Sequence, residues 1–191
     1  QLNEMITGTL ARGKRRYGVR ICAAAFLSNH AHLLCEVDDA KQLADFMGFV
    51  ASKIAKEVGR RVRWREKVWG RRYSAIVVSD EVDAQIARLR YVLAHGVKEH
   101  LVARCEDWPG VHAAKALASG RELVGYWFDR TAEYRARLRG KDFGPYTHAK
   151  LEPLSFDPLP ATSRPSPNAC PAQGTTQTVL ALLGSPDANM A

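Results

Sequence analysis

Three groups of residues in this sequence have types and spacings that could do chemistry. The first is His30-Ala31-His32. On a strand, side chains at i and i+2 point to one face, so both imidazoles could reach a single metal ion. The alternative is a pair of ordinary surface histidines. The pair follows the turn signal Ser28-Asn29 and opens an apolar stretch, where a site is reachable from solvent. The second group is Tyr91 with His95. On a helix, Val82, Ile86, Leu89 and Leu93 form one narrow apolar stripe, and Tyr91 lies opposite it. His95 sits about 40° from Tyr91, because residues i and i+4 share a face. Core packing accounts for the stripe but not for Tyr91 and His95, although a tyrosine there could simply cover a neighbouring element. Ala84, Ala87 and Arg88 around it are small or polar and would let a nucleic-acid strand approach. The third group is the run Arg60, Arg61, Arg63, Arg65, Arg71 and Arg72, with Trp64 and Trp69 interleaved. Guanidinium groups bind phosphates and indoles stack on exposed bases. The competing assignment gives the tryptophans to the core and the arginines to solvent.

These groups need elements to position them. Residues 2–16 read as a helix with Leu2, Met5, Ile6 and Leu10 on one face and Arg12, Lys14, Arg15 and Arg16 crowding the last turn, where cations suit the helix dipole. Gly18 is a stop signal. Residues 19–27 (VRICAAAFL) and 30–37 (HAHLLCEV) read as two strands of an antiparallel hairpin. Asp38 or Asp39 can cap a helix with Leu43, Phe46, Met47, Val50, Ile54 and Val58 in register, ended by Gly59. Residues 73–79 are strand-like, and Ser79 or Asp80 opens a helix through about His100. Trp108-Pro109-Gly110 is a turn, and short helices are expected at 113–119 and 130–138. From Gly144 the texture changes to a Pro/Ser/Thr-rich stretch without period. Two parts are therefore expected: a folded body at 1–143 and a disordered tail at 144–191.

The chain has 191 residues and a net charge of +8, unevenly placed. Residues 151–191 hold one basic residue (Arg164) and three acidic ones (Glu152, Asp157, Asp187), which leaves +10 on the first 150. A basic body suits a polyanionic partner. No apolar run has membrane-spanning length, and the start lacks the order of a signal peptide, so a cytoplasmic protein without a membrane partner is expected. Cys22, Cys35, Cys105 and Cys170 show no metal-ligand spacing and read as reduced thiols.

At this point two motifs, in order, resemble a known family. LSNHAHLL (27–34) is similar to the His-hydrophobic-His signature of the HUH nucleases, in the form found in REP-associated tyrosine transposases and the IS200-like single-tyrosine transposases of small insertion sequences. YVLAHGVKEHLV (91–102) followed by EDWPG (106–110) looks like the same family's tyrosine helix and the turn after it. The resemblance covers roughly residues 1–140. It implies an α+β, ferredoxin-like antiparallel sheet with helices on one face. It implies that His30 and His32 hold a divalent cation, Mg or Mn, with His95 in the position of the third ligand, where relatives usually carry Asn or Gln. Tyr91 would be the nucleophile, forming a 5′-phosphotyrosine and freeing a 3′-hydroxyl. Arg15, Arg16, Arg60, Arg61, Arg63, Trp64, Arg65, Arg71 and Arg72 would contact DNA.

The implied activity is cleavage and joining of single-stranded DNA at hairpin-flanked repeats, with a homodimer among the assemblies the family uses. A DNA-binding remnant without catalysis is the alternative, and a metal-dependent hydrolase independent of Tyr91 is a third reading. The family's first β-strand, central to its sheet, is missing before Gln1, so truncation at both ends is expected. By the same logic, removing residues 151–191 should cost little stability, and adding a strand before Gln1 should stabilise the body.

Overall fold

A computed structural model describes residues 1–141, 144, 147–163 and 176–184. Helix α1 (Leu2–Tyr17) leads through Gly18 into strands β1 (Arg20–Phe26) and β2 (His30–Val37). Helix α2 (Ala40–Val62) is followed by β3 (Ser74–Val78) and α3 (Val82–Ala94). Beyond a 3-10 turn at Cys105–Asp107 come α4 (Ala113–Ser119), β4 (Leu123–Phe128), α5 (Arg130–Leu138), β5 (Ala149–Leu154), α6 (Pro160–Ser163) and β6 (Gln177–Gly184). The fold is α+β with antiparallel sheets, as expected. The principal sheet has the order β1-β2-β6-β3, and β4 and β5 form a separate hairpin.

The central position left empty in the sequence analysis is filled by β6. It pairs antiparallel with β2 from His30↔Gly184 to Val37↔Gln177 and with β3 from Ser74↔Leu182 to Val78↔Thr178. This corrects the expectation of a disordered tail starting at 144. The segment TVLALL is a continuous apolar run, the pattern of a strand buried on both faces, and composition-based reading passed over it because prolines and serines surround it. Residues 164–175 and 185–191, including Arg164, Cys170 and Asp187, lie outside the described part.

Alternation on the strands divides the core in two. Ala31, Leu33, Cys35 and Val37 of β2, with Val179, Ala181 and Leu183 of β6, face α1 and α2. Leu34 and Leu180 face α3, where Val92, Ile86 and Leu89 pack. The two-helix layer is thus joined by α3 across the other face. The β4–β5 hairpin lies against the outside of α1, backbone to backbone. A Cβ at Gly8 would stand 2.3 Å from the Tyr126 backbone, and one at Gly125 would stand 2.3 Å from the Glu4 carbonyl oxygen. Only glycine at both positions permits that approach.

Two helix ends differ from expectation. Helix α2 passes Gly59 and ends at Val62, with Arg63 in the left-handed region at φ 53°. Its last turns are held by the buried Glu57, which accepts hydrogen bonds from Arg60 and Arg130. Helix α3 stops at Ala94 rather than near His100, because Gly96 takes φ 87°.

Strand β6 makes a clear stability prediction that reverses the earlier one. Truncation after residue 175 removes the ladder on both neighbours and the buried Val179, Leu180 and Leu183, each worth about 1.5–3 kcal/mol. Against a typical net stability of about 5–15 kcal/mol, the truncated chain should unfold or melt far lower. Circular dichroism melts check this, and an unchanged midpoint would contradict the placement of β6.

Candidate metal and tyrosine site

The site forms where β2 passes under the end of α3. His30 and His32 lie on the face of β2 that looks toward α3, since their neighbours Ala31 and Leu33 face the opposite core. Helix α3 brings Tyr91 over this face, and the chain leaves the helix at His95. Gly96 fixes that exit. Its positive φ favours glycine, and a Cβ there would stand 2.7 Å from the Trp108 ring. Trp108 is held in turn, its indole Nε1 donating to the Phe26 carbonyl at 2.8 Å. The Trp108-Pro109-Gly110 turn thus clamps the tyrosine helix to the end of β1.

The result is a cluster of four rings. One ligand atom from each of His30, His32 and His95 lies within 4.8 Å of the others. The His32 and His95 rings stack at 4.0 Å between centroids, and His30 stands edge-on to His32 at 4.9 Å. Tyr91 meets His95 at 4.7 Å and His32 at 5.3 Å, both edge-on. The sequence motifs therefore meet in space as the two-motif pattern required.

Electrostatics hold two of these imidazoles, His30 and His32, in the neutral form. His32 is 3% exposed, and burial, followed by the neighbouring His95 and His30, pushes its pKa down to about 3. Burial and His95 lower that of His30 as well. The Nδ1 of His30 faces the Asn29 side-chain oxygen at 2.7 Å, and that of His95 faces a Glu99 carboxylate oxygen at 3.3 Å. An oxygen acceptor on Nδ1 places the proton there and leaves Nε2 with the lone pair. Glu99 is itself anchored by the Gly96 N–H at 2.5 Å, and despite burial, which raises it, its pKa lies below the usual carboxylate range.

These nitrogens fit a divalent cation. Both ring nitrogens of His32 and Nε2 of His95 are buried without a hydrogen-bond partner. Each such group costs about 1–3 kcal/mol unless something satisfies it. A cation held among three imidazoles would take Nε2 of His95 and one nitrogen of His32, with Glu99 behind His95 as the outer carboxylate that metal-binding histidines commonly have.

Residues 1–94 match the family model described as "transposase IS200 like". Over these residues, just under half of the chain, the sequence is that of the IS200-like transposase family. The matched stretch contains His30, His32 and Tyr91 and ends one residue before His95. No curated protein and no solved structure matches the chain. Membership carries a transposase function and a DNA partner in general terms. Among the described residues, no helix is long and apolar enough to cross a membrane.

The expected DNA-contacting residues of this transposase are not gathered in one place. Arg15 is held by Glu152 at 2.9 Å, and Arg16 lies over the Tyr17 and Phe49 rings. Arg60 pairs with Glu57, and Arg61 donates to the Gln1 side chain and lies over Phe128. Arg63, Trp64 and Arg65 are exposed on the loop after α2. Trp69 serves the core, its indole donating to the Ala51 carbonyl. The Gly70 N–H bonds to the Gly184 carbonyl opposite His30, so the exposed Arg71 and Arg72 stand at the histidine end of the sheet.

Sequence reading missed Lys98, whose Nζ stands 5.7 Å from the Tyr91 ring centre, and Glu99 behind His95. The available signal for Glu99 is its i+4 spacing from His95, inside the segment expected to be helical through about His100. Cys22, Cys35 and Cys105 are free thiols, the first two buried, and burial pushes the Cys22 thiol up to about 12.

A metal titration tests the cluster. Mn²⁺ at a hundredfold over its Kd should add about 2.7 kcal/mol, or roughly 5–10 °C in melting temperature for a chain of this size. His32→Ala and His95→Ala should each lose most of that shift. If both variants keep it, the ion binds elsewhere.

Proposed function

We propose that this transposase cleaves and rejoins single-stranded DNA through a 5′-phosphotyrosine at Tyr91, aided by a divalent cation at His30, His32 and His95. The observation that carries the proposal is the convergence of Tyr91 with the three imidazoles of His30, His32 and His95. No described residue donates to or accepts from the Tyr91 hydroxyl, and the ring is half-buried beside an open concavity. That concavity is lined by Ala84, Ala87, Arg88, Arg90, Ala94 and Lys98, small and cationic side chains that admit a phosphate-bearing strand.

Cleavage forms a bond from the Tyr91 phenolic oxygen to phosphorus as the bond from phosphorus to the 3′-oxygen breaks. The phenolic proton leaves to solvent and the departing 3′-oxygen gains one, giving a free 3′-hydroxyl. Rejoining is the reverse, with a 3′-hydroxyl attacking the phosphotyrosine, so the linkage energy is conserved. Lys98 and Arg88 flank the path of the strand, where their charge would hold the scissile phosphate over Tyr91. A bound cation would polarise the phosphate oxygens, and the all-nitrogen ligand set suits Mn²⁺ better than Mg²⁺. Asn29 and Glu99 act one step removed, fixing the tautomers of His30 and His95. A DNA substrate fits a cytoplasmic location for this chemistry.

Incubation with a labelled hairpin-bearing single strand and Mn²⁺ should give a protein–DNA adduct that survives denaturing electrophoresis. Tyr91→Phe should abolish the adduct while leaving affinity within about twofold, since only the hydroxyl is lost and the ring keeps its packing. An adduct that persists in the Phe variant means another nucleophile.

A further inference from the structure

On the opposite side of the sheet, a cavity of about 370 Å³ opens between α2 and the β4–α5 corner. One wall carries Lys53, Lys56 and Arg60, which spacings of three and four place on one face of α2. The other carries Trp127, Arg130 and Tyr134. Trp127, Arg130 and Tyr134 lie beyond residues 1–94, and this face is separated from His30 and His32 by the thickness of the sheet.

The charges are unbalanced in a particular way. Glu57, 6% exposed, accepts from Arg60 at 2.8 Å and from Arg130 at 2.7 Å and again through its second oxygen. Arg130 also holds Glu133 at 2.5 Å. Those carboxylates are thus taken up by the two arginines, and neither Lys53 nor Lys56 has a carboxylate partner among the described residues. Lys53 instead rests over the Trp127 ring at 5.2 Å, half-buried, and burial plus the repulsion of Lys56, Arg16 and Arg60 hold its ammonium below the ordinary lysine range. Trp127 is backed by Phe49, stacked at 5.5 Å and 25°, which makes the wall rigid. Tyr134 is 62% exposed at the rim.

Paired arginines, unpaired lysines and an exposed aromatic ring around a cavity of this size fit a phosphate backbone with an unpaired base. We infer that this groove is a second binding surface for single-stranded DNA, taking phosphates on Lys53 and Lys56 and a base against Tyr134. The inference rests on DNA being the partner but not on the chemistry of Tyr91. A duplex keeps its bases stacked inside and cannot offer one to Tyr134, whereas aromatic platforms beside cationic tracks are how unpaired strands are held.

Anisotropy titrations of the full chain with a labelled single strand and with its blunt duplex, over a series of salt concentrations, test this. Lys53→Gln with Lys56→Gln should lower the log–log salt slope for the single strand by about 1.4, at about 0.7 per phosphate contact. Tyr134→Ala should weaken the single strand at least about fivefold, as loss of one stacked base does, and leave the duplex unchanged. Should the Lys53 change disturb folding, Lys56→Gln with Tyr134→Ala alters only exposed side chains and carries the test. An unchanged slope and affinity in a variant with wild-type melting overturns the groove, as does equal loss of duplex binding in Tyr134→Ala. Adduct formation measured on the same samples separates the two readings. Adduct with an unchanged slope sinks the groove alone, and a lowered slope without adduct sinks the role of Tyr91 alone. A wild-type chain that binds neither probe overturns both.

Discussion

Strand β2 carries two histidines into a largely desolvated position, and it can do so because both of its edges are hydrogen-bonded. On one side β1 pairs with it from Arg20↔Glu36 to Phe26↔Ala31, and on the other β6 pairs along all eight residues. A strand with one open edge would have unsatisfied backbone groups facing the core and freedom to slip in register. A slip of one residue would turn His30 and His32 into the α1–α2 core and Ala31 and Leu33 toward Tyr91. The geometry of the site is therefore fixed by residues more than 140 positions away in the chain, and β6 is as much a part of it as the helix that bears the tyrosine.

The second constraint is the exit from α3. His95 must leave the helix so that its ring lies parallel to that of His32, and this requires the positive φ of Gly96 together with the Trp108 ring packed where a Cβ would be. The neutral state of His30 and His32 follows from burial. Three protonated imidazoles at these separations would repel one another in a poorly solvated space, so the fold selects the form that has lone pairs to offer. Desolvation, which is a cost to folding, leaves His32 with nitrogen atoms that have no other partner.

Much of this was legible in the sequence, for reasons that can be named. The bounds His30–Val37 agree with the structure because the turn signal Ser28-Asn29 marks the start and the Asp38-Asp39 helix cap marks the end. Tyr91 was identifiable through the order of the two motifs rather than through the expected stripe, because Val82 is exposed while Gln85 and Val92 are the buried residues of its helix, and Tyr91 itself packs against that core. The end of α3 was missed because Gly96 was read as one glycine inside a helix rather than as the residue that frees His95. Strand β6 was missed because a strand of TVLALL has no partner in the local sequence, and its neighbours β2 and β3 lie over a hundred residues earlier. The β4–β5 hairpin was missed for a related reason. Its docking depends on close backbone approach at Gly8 and Gly125, where the informative feature is the lack of a side chain.

The family match ends at residue 94, yet the physical unit does not. Glu57 belongs to the matched part, and alone it would be a buried carboxylate with only Arg60 beside it. Its second cation, Arg130, comes from α5. Removing one partner of such a pair leaves an uncompensated charge, a change that typically costs about 3–5 kcal/mol. Likewise β2 and β3 belong to the matched part, and the strand that joins them comes from residues 177–184. The helical layer and the sheet itself are thus both completed by chain outside the match, the first by an ion pair and the second by a ladder of backbone hydrogen bonds. The later segments cannot then be an appendage to an independent catalytic body. They are what allow residues 1–94 to hold His30, His32 and Tyr91 in one place.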